Sequence, residues 1–474
     1  LWTKVTPSTN VTAPVLVNYT VSAAADLSSP LAAGATATSG DVDYTVKLDV
    51  PNLSPATAYY YRFASPDGSN ATGVGQTRTL PAAGDVPAKF TIATISCMAF
   101  WHGYFSSLGN IARNEEVDAV VHLGDVIYEY SKRDYPSVDG SLPDDRDPQP
   151  NVEIVSLSDY RTRHAQTRTD PDYQEMTRVK PMIMIYDDHE FADNAWMNGA
   201  ANHDPETQGP WSVRKANAAR AWWEYTPTRP VTPDVSAADP SLYSIYRVFR
   251  VGALFDLIML DTRIEGRDQQ AAGDPQTRRL ISEKQGGWLF NTLNSSTAKW
   301  RVLGNQVIMA PIPNTVFGSE VPILNDAWVG YPAARQRVLE FVANNNISNT
   351  CCVTGDLHAS VASDLFLDAK QYDPATGKGA VMPEFVGPSV TSASPVRDSE
   401  SLGRLARDPF VEPNPGAKFV NLWRHGYMLV TVAQDKVRTE YRFVESVKRQ
   451  NGGREDSGAV LEVVSGSNRI TRQS

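Results

Sequence analysis

Chemistry-bearing residues recur in one context, immediately after short apolar runs. Cys97 follows Phe90 to Ile95, and Gly124-Asp125 with Tyr128 and Glu129 follows Ala119 to Leu123. Asp187-Asp188-His189-Glu190 follows Met182 to Tyr186, and Asp261-Thr262-Arg263 follows Leu254 to Leu260. Gly355-Asp356-Leu357-His358 follows Cys351 to Thr354. Thiolate, phenolate, carboxylate and imidazole are all metal-ligand types. A single Asp after a strand is ordinarily a turn or N-cap residue. The recurrence after five runs of one chain instead points to a shared site, because open α/β sheets bind ligands beyond the carboxyl ends of their strands.

Other chemistries fail on spacing. Cys97 has Gly103 six positions on, where a cysteine-phosphatase loop needs Arg. Ser389 in Gly387-Pro-Ser-Val-Thr391 lacks the second Gly of a nucleophile elbow, and His189-Glu190 has no second His four residues from the first. Gly73-Val-Gly75 has neither the third Gly nor a following helix of a dinucleotide fingerprint. A metal-centred hydrolase survives.

The elements that would position these residues fall into two regions. Residues 1–82 are poor in Lys, Asp and Glu and alternate as antiparallel strands do, in Val15 to Val21 and Tyr44 to Val50. Leu53-Ser-Pro-Ala-Thr-Ala-Tyr59 has the spacing of a tyrosine corner, so a fibronectin-III-like or immunoglobulin-like β-sandwich is expected there, acting as a spacer and packing module. Pro and Gly between Thr79 and Pro87 mark a linker. Residues 88–474 hold six strand candidates, the five runs above plus Trp300 to Leu303, and helical stretches such as 211–224 and Ala333 to Asn344. They predict an α/β layered catalytic domain.

Of 474 residues, 41% are hydrophobic and 21% charged, as in an ordinary globular protein. The net charge of −10 argues against nucleic acid or an anionic membrane as the main partner, and three Cys exclude a disulfide scaffold. No run of about 18 apolar residues is available for a transmembrane segment. A start at Leu1 leaves room for a removed upstream segment, and sequons at Asn10, Asn18, Asn52, Asn70, Asn294 and Asn346 fit export. A secreted, extracellular or periplasmic protein is expected.

Taken in order, the motifs resemble the PhoD-type alkaline phosphatases, a branch of the calcineurin-like and purple-acid-phosphatase-like metallophosphoesterases. The resemblance runs from the opening Leu-Trp-Thr through Ser96-Cys97, His122-Leu-Gly-Asp125-x-x-Tyr128-Glu129-Tyr130, Asp159-Tyr-Arg161, Asp187-Asp-His-Glu190, Leu260-Asp-Thr-Arg263 and Gly355-Asp-Leu-His358 to Glu384-Phe-Val386 and Gly426-Tyr427. It implies a metallophosphoesterase core of two β-sheets flanked by helices. It also implies release of inorganic phosphate from esters at alkaline pH, by attack of hydroxide or oxide held on Fe(III) and two Ca²⁺.

Carried over by position, the resemblance makes Cys97 a thiolate ligand to iron, Asp125 the bridging carboxylate and Tyr128 a phenolate ligand. Asp188 becomes a ligand, Asp356 a calcium-side ligand and His358 an iron-side one. His189 is expected near the leaving group and Arg263 among groups that steady phosphate oxygens, as are Arg161 and Arg168 unless they form structural ion pairs. The family carries a segment ahead of Leu-Trp-Thr, so the sandwich is expected either to lack a strand or to continue upstream of Leu1.

The seven His support an oxygen-rich site. The only one between His189 and His358 is His203, 14 residues after His189 and read as a surface or supporting residue, so a dizinc site lacks imidazole and hard ions fit better. His102 is a pocket-lining candidate, while His122, Cys351 and Cys352 read as core residues. The expected substrate is a small phosphate mono- or diester, and the oligomeric state is open. The alternatives are a phosphodiesterase or phospholipase-D-like activity on the same metals, and a catalytically dead surface-binding protein, against which stands the presence of every expected ligand.

Overall fold

All six apolar runs become strands, at Lys89–Ile95, Ala119–His122, Met182–Met184, Phe255–Met259, Trp300–Asn305 and Thr350–Thr354. The computed structural model describes the chain except residues 8–10, 12, 139–141, 143, 230–243, 271, 313, 314, 317, 318, 321–324, 451, 452 and 474, so the Asn10 sequon lies outside the described residues. The strands divide between two mixed seven-stranded sheets. In the first, Lys89–Ile95, Ala119–His122 and Met182–Met184 run parallel, and Gly426–Ala433, Lys436–Val444, Glu455–Val464 and Arg472–Gln473 extend the sheet antiparallel beside Lys89–Ile95. In the second, Phe255–Met259, Trp300–Asn305, Thr350–Thr354 and Ala380–Val386 run parallel, edged on one side by antiparallel Arg247–Val251 and on the other by antiparallel Ser360–Phe366, to which Ala417–Asn421 pairs antiparallel in turn.

Alternation along the second sheet divides its residues between two cores. Leu257, Met259, Val302, Cys351 and Val353 join Ile92, Val120 and Val430 of the first sheet in one apolar cluster, which also takes in the helices Ser106–Arg113, Pro171–Val179 and Trp211–Tyr225. Ile258, Leu303 and Cys352, pointing the other way, join the helices Glu283–Ser295, Pro332–Asn344 and Glu400–Val411. The sheets therefore share an interior, with helices on their outer sides. All three cysteines are free and buried.

Residues before the linker form a four-stranded and a two-stranded antiparallel sheet, packed through Val17, Val46 and Phe63. Tyr59, buried at the start of Ala58–Ala64, accepts the Ser54 N–H at 2.8 Å, the corner contact its spacing foretold. This module docks on helix Trp211–Tyr225. Trp2 donates to the Glu224 carbonyl at 2.8 Å, and Lys47 lies 3.6 Å from the centre of the Trp223 ring. Arg161 grips the Glu224 carboxylate at 2.7 Å with two nitrogens and reaches the Asp41 carbonyl. Arg168 hydrogen-bonds the Tyr225 carbonyl within the second region and lies 5.5 Å from the centre of the Trp2 ring of the first, so both arginines make protein contacts where the two regions meet. Trp211 and Trp222 pack into the core shared by the two sheets.

Tyr59→Phe keeps the ring and removes the acceptor of the Ser54 N–H. Chemical denaturation of the full chain should register a loss of about 1–2 kcal/mol, against less than about 0.5 kcal/mol for Tyr60→Phe. Equal effects would show that the corner contact adds nothing.

Candidate metal centre

The two sheets meet at the carboxyl ends of their parallel strands, where backbone conformation turns the chemistry-bearing side chains inward. Cys97, Asp125, Asp356 and His358 all have left-handed φ, at 60°, 59°, 63° and 55°. Such conformations cost a non-glycine residue on the order of 1–2 kcal/mol and are found where function demands them. Gly124, at φ 114°, meets a further limit, since a Cβ there would lie 2.4 Å from that of Asp187. Glu190, fully buried, locks two of the loops together by accepting the N–H groups of Asp125 at 3.0 Å, Val126 at 2.5 Å and Asp187 at 2.7 Å. The Met98 N–H closes the first loop onto the Asp125 carbonyl at 2.8 Å.

Three overlapping donor groups result, each with ligand atoms within 4.8 Å of one another: Cys97, Asp125 and His358; Asp125, Asp188 and His189; Asp187, Asp188 and Asp356. Tyr128 joins the first group, its hydroxyl 3.0 Å from Asp125 Oδ2 and 2.9 Å from His358 Nε2. His358 Nδ1 lies 2.9 Å from the Ala393 carbonyl, which can only accept, so Nδ1 carries the proton and Nε2 keeps its lone pair for the centre. Burial pulls this imidazole down to about 3, which keeps it neutral.

Burial and mutual repulsion push Cys97, Asp125 and Tyr128 well above their ordinary ranges. Burial does the same to Asp187, with Asp356 and Asp188 adding to it against the pull of Arg263. Charged ligands restored by a bound cation are what such a cluster accommodates. The residues present therefore fit metal ions.

His189 lies among acids. Its Nδ1 is 2.7 Å from Glu129 Oε2, and its Nε2 is 3.9 Å from Asp188 Oδ2. Burial alone would lower it, but Asp188, Glu129 and Asp125 together raise it well above the usual imidazole range. Glu129, whose Oε1 is fixed by the Asp193 N–H and the Asn202 amide at 2.7 Å each, orients the ring.

Arg263 departs from the phosphate-orienting part expected of it. The side chain is fully buried, and all its guanidinium nitrogens meet protein carboxylates: Nε with Asp187, Nη1 with Asp326, and Nη2 with Asp356 at 2.6 Å and Asp188 at 3.2 Å. In this arrangement it draws the strand-end loops of both sheets together.

His102 is buried beside the centre, accepting the Ala393 N–H at 3.1 Å. His122 is a core residue that caps the Gly124 N–H, and His203 packs against Trp211. Spacing did not single out Asp187, Glu129 or Glu190 within their motifs, although each was in view. Asp326 carried no signal at all, being isolated in sequence from every motif.

The sequence model of the PhoD-like phosphatases matches residues 92–441, and that of the PhoD-like phosphatase N-terminal domain matches residues 1–81. Alkaline phosphatase D of Bacillus subtilis (strain 168) is 36% identical over 423 residues, spanning 85% of this chain and 67% of its own length. A solved structure of PhoD superposes with a TM-score of 0.87 at 30% identity, over 100% of this chain and 88% of that one. Matched over both of its regions, the chain belongs to the PhoD-like phosphatase family.

Proposed function

We propose that this metal-dependent phosphoester hydrolase releases inorganic phosphate at alkaline pH through one iron and two calcium ions. The observation that carries the reading is the overlap of three donor groups through Asp125 and Asp188, whose carboxylates would be available to neighbouring ions. Cys97, Tyr128 and His358, with Asp125, would hold iron, since thiolate, phenolate and imidazole suit Fe(III). Asp187, Asp188 and Asp356 offer the oxygen donors that calcium prefers. Bound there, the ions supply Lewis acidity and a nucleophilic hydroxide without a strong base.

The chain's own residues do the rest. Asp125 holds the two halves in register, Arg263 keeps Asp187 and Asp356 together, and His189, oriented by Glu129, gives a proton to the departing ester oxygen. The reading extends to a fibronectin-III-like N-terminal module, supported by the Tyr59 corner, and to an exported protein, supported by exposed sequon residues Asn52, Asn70, Asn294 and Asn346.

Chelation should abolish turnover, and iron with calcium should restore it. Asp125→Asn should lower kcat/KM by roughly 10²–10³-fold. An active preparation that elemental analysis shows to be metal-free would overturn the reading, and parallel rates on a monoester, a diester and a phospholipid identify the preferred ester. His189→Gln should cost roughly 10²-fold on an alkyl phosphate and far less on p-nitrophenyl phosphate, whose leaving group needs no proton. Equal losses on both would remove His189 from that role.

A further inference from the structure

Ser389, His425 and Asp398 stand in line outside the donor groups. Ser389 Oγ is 3.0 Å from His425 Nδ1, and His425 Nε2 is 3.1 Å from Asp398 Oδ1, a close polar contact outside hydrogen-bond geometry. The residue types are those of a nucleophilic triad, but the protons are not. Ser389 Oγ donates to the Ser392 carbonyl at 2.6 Å, since a carbonyl only accepts. Having given its one proton there, Oγ can meet His425 only as an acceptor, so Nδ1 carries a hydrogen and has no lone pair with which to act as base. Ser389 is also fully buried.

The three residues instead fasten the segment between them. Asp398 accepts the Ser394 N–H at 2.9 Å, and its own N–H donates to Ser394 Oγ at 2.7 Å. The Gly426 N–H reaches the Ser389 carbonyl at 3.0 Å. Arg397 and Asp398 are both left-handed, at φ 51° and 59°, a turn that needs such fastening.

What the segment touches is one half of the centre. Val390 N–H donates to the Ser96 carbonyl at 3.0 Å, and Thr391 and Ser392 N–H donate to the Cys97 carbonyl at 3.3 and 3.2 Å. Ser392 Oγ accepts the Ala99 N–H at 3.1 Å, and Thr391 Oγ1 donates to the Ala99 carbonyl at 2.9 Å. Ala393 provides the carbonyl that fixes the His358 tautomer.

We propose that Asp398, His425 and Ser389 are positioning residues for the Cys97–His358 half of the centre, acting through the segment 389–394 that clamps the Cys97 loop and orients His358. The inference rests on the reading of Cys97 and His358 as ligands of one ion.

Ser389→Ala and Asp398→Asn in the full chain test it with two measurements. In the holoenzyme dialysed against a chelator, iron should leave about tenfold faster than from the parent, the effect of one lost hydrogen bond, while calcium leaves at the parental rate. In metal-stripped protein, iodoacetamide should alkylate Cys97 about tenfold faster. Cys351 and Cys352, buried in Thr350–Thr354, should react as in the parent and so report on global unfolding.

Unchanged Cys97 alkylation, equal acceleration at all three thiols, or faster Cys97 alkylation with parental iron release would each overturn the proposal. If the parent holds no iron but Cys97 is still selectively exposed, the clamp stands and the iron assignment falls.

Discussion

Everything about the centre follows from burying acids together. Cys97, Asp125, Asp187, Asp188 and Asp356 are nearly or fully withdrawn from water within overlapping donor groups. Two like charges about 4 Å apart repel by about 4 kcal/mol at an effective dielectric near 20, and a whole domain is stable by only about 5–15 kcal/mol. Several such pairs are not sustainable as bare anions. Arg263 and His189 provide positive charge, and Asp188, which contacts both, stays below the usual carboxylate range, since their attraction with the Asn194 N–H outweighs burial. Asp125 and Asp187 remain pushed up, chiefly by burial.

The donors come from both sheets. Cys97, Asp125, Asp187 and Asp188 follow strands of the first, while Arg263, Asp356 and His358 follow strands of the second. The shared core aligns the two sets of strand ends, with Phe90 against Phe255 at 5.8 Å and Ile92, Val302 and Val353 in one cluster. Arg263 adds an electrostatic tie across this seam by meeting Asp187 of the first sheet and Asp356 of the second. The centre is thus a product of sheet-on-sheet packing, and loops from a single sheet could not build it.

This division explains what the sequence disclosed. Parallel strands buried on both faces read as continuous apolar runs, so six of them were legible, together with the motifs at the ends of the five that deliver the chemistry. The antiparallel strands Lys436–Val444 and Glu455–Val464 alternate Lys, Arg and Glu with Val, Tyr and Leu, and give no such run. Ala380–Val386 was hidden by Pro383, which ordinarily argues against an interior strand. The structure accommodates it because pairing to Thr350–Thr354 begins only at Glu384. Arg263 was visible as a residue but not in its role, because the Asp326 it meets lies 63 positions away with no motif around it.

Strain and charge at the centre point in the same direction. Four of the residues read as ligands hold left-handed φ, and most of the carboxylates around them are held against their preferred ionisation by burial. Neither feature stabilises the fold by itself. Both become tolerable when a cation binds the folded chain and not the unfolded one, because binding then adds RT ln(1 + [L]/Kd) to stability, about 4 kcal/mol at a thousandfold excess over Kd. Glu190, Arg263 and the 389–394 segment keep the loops bent through hydrogen bonds to backbone or carboxylate that need no ion. Those bonds pre-organise the site, so that binding energy is not consumed in bending the loops and remains available for holding metal.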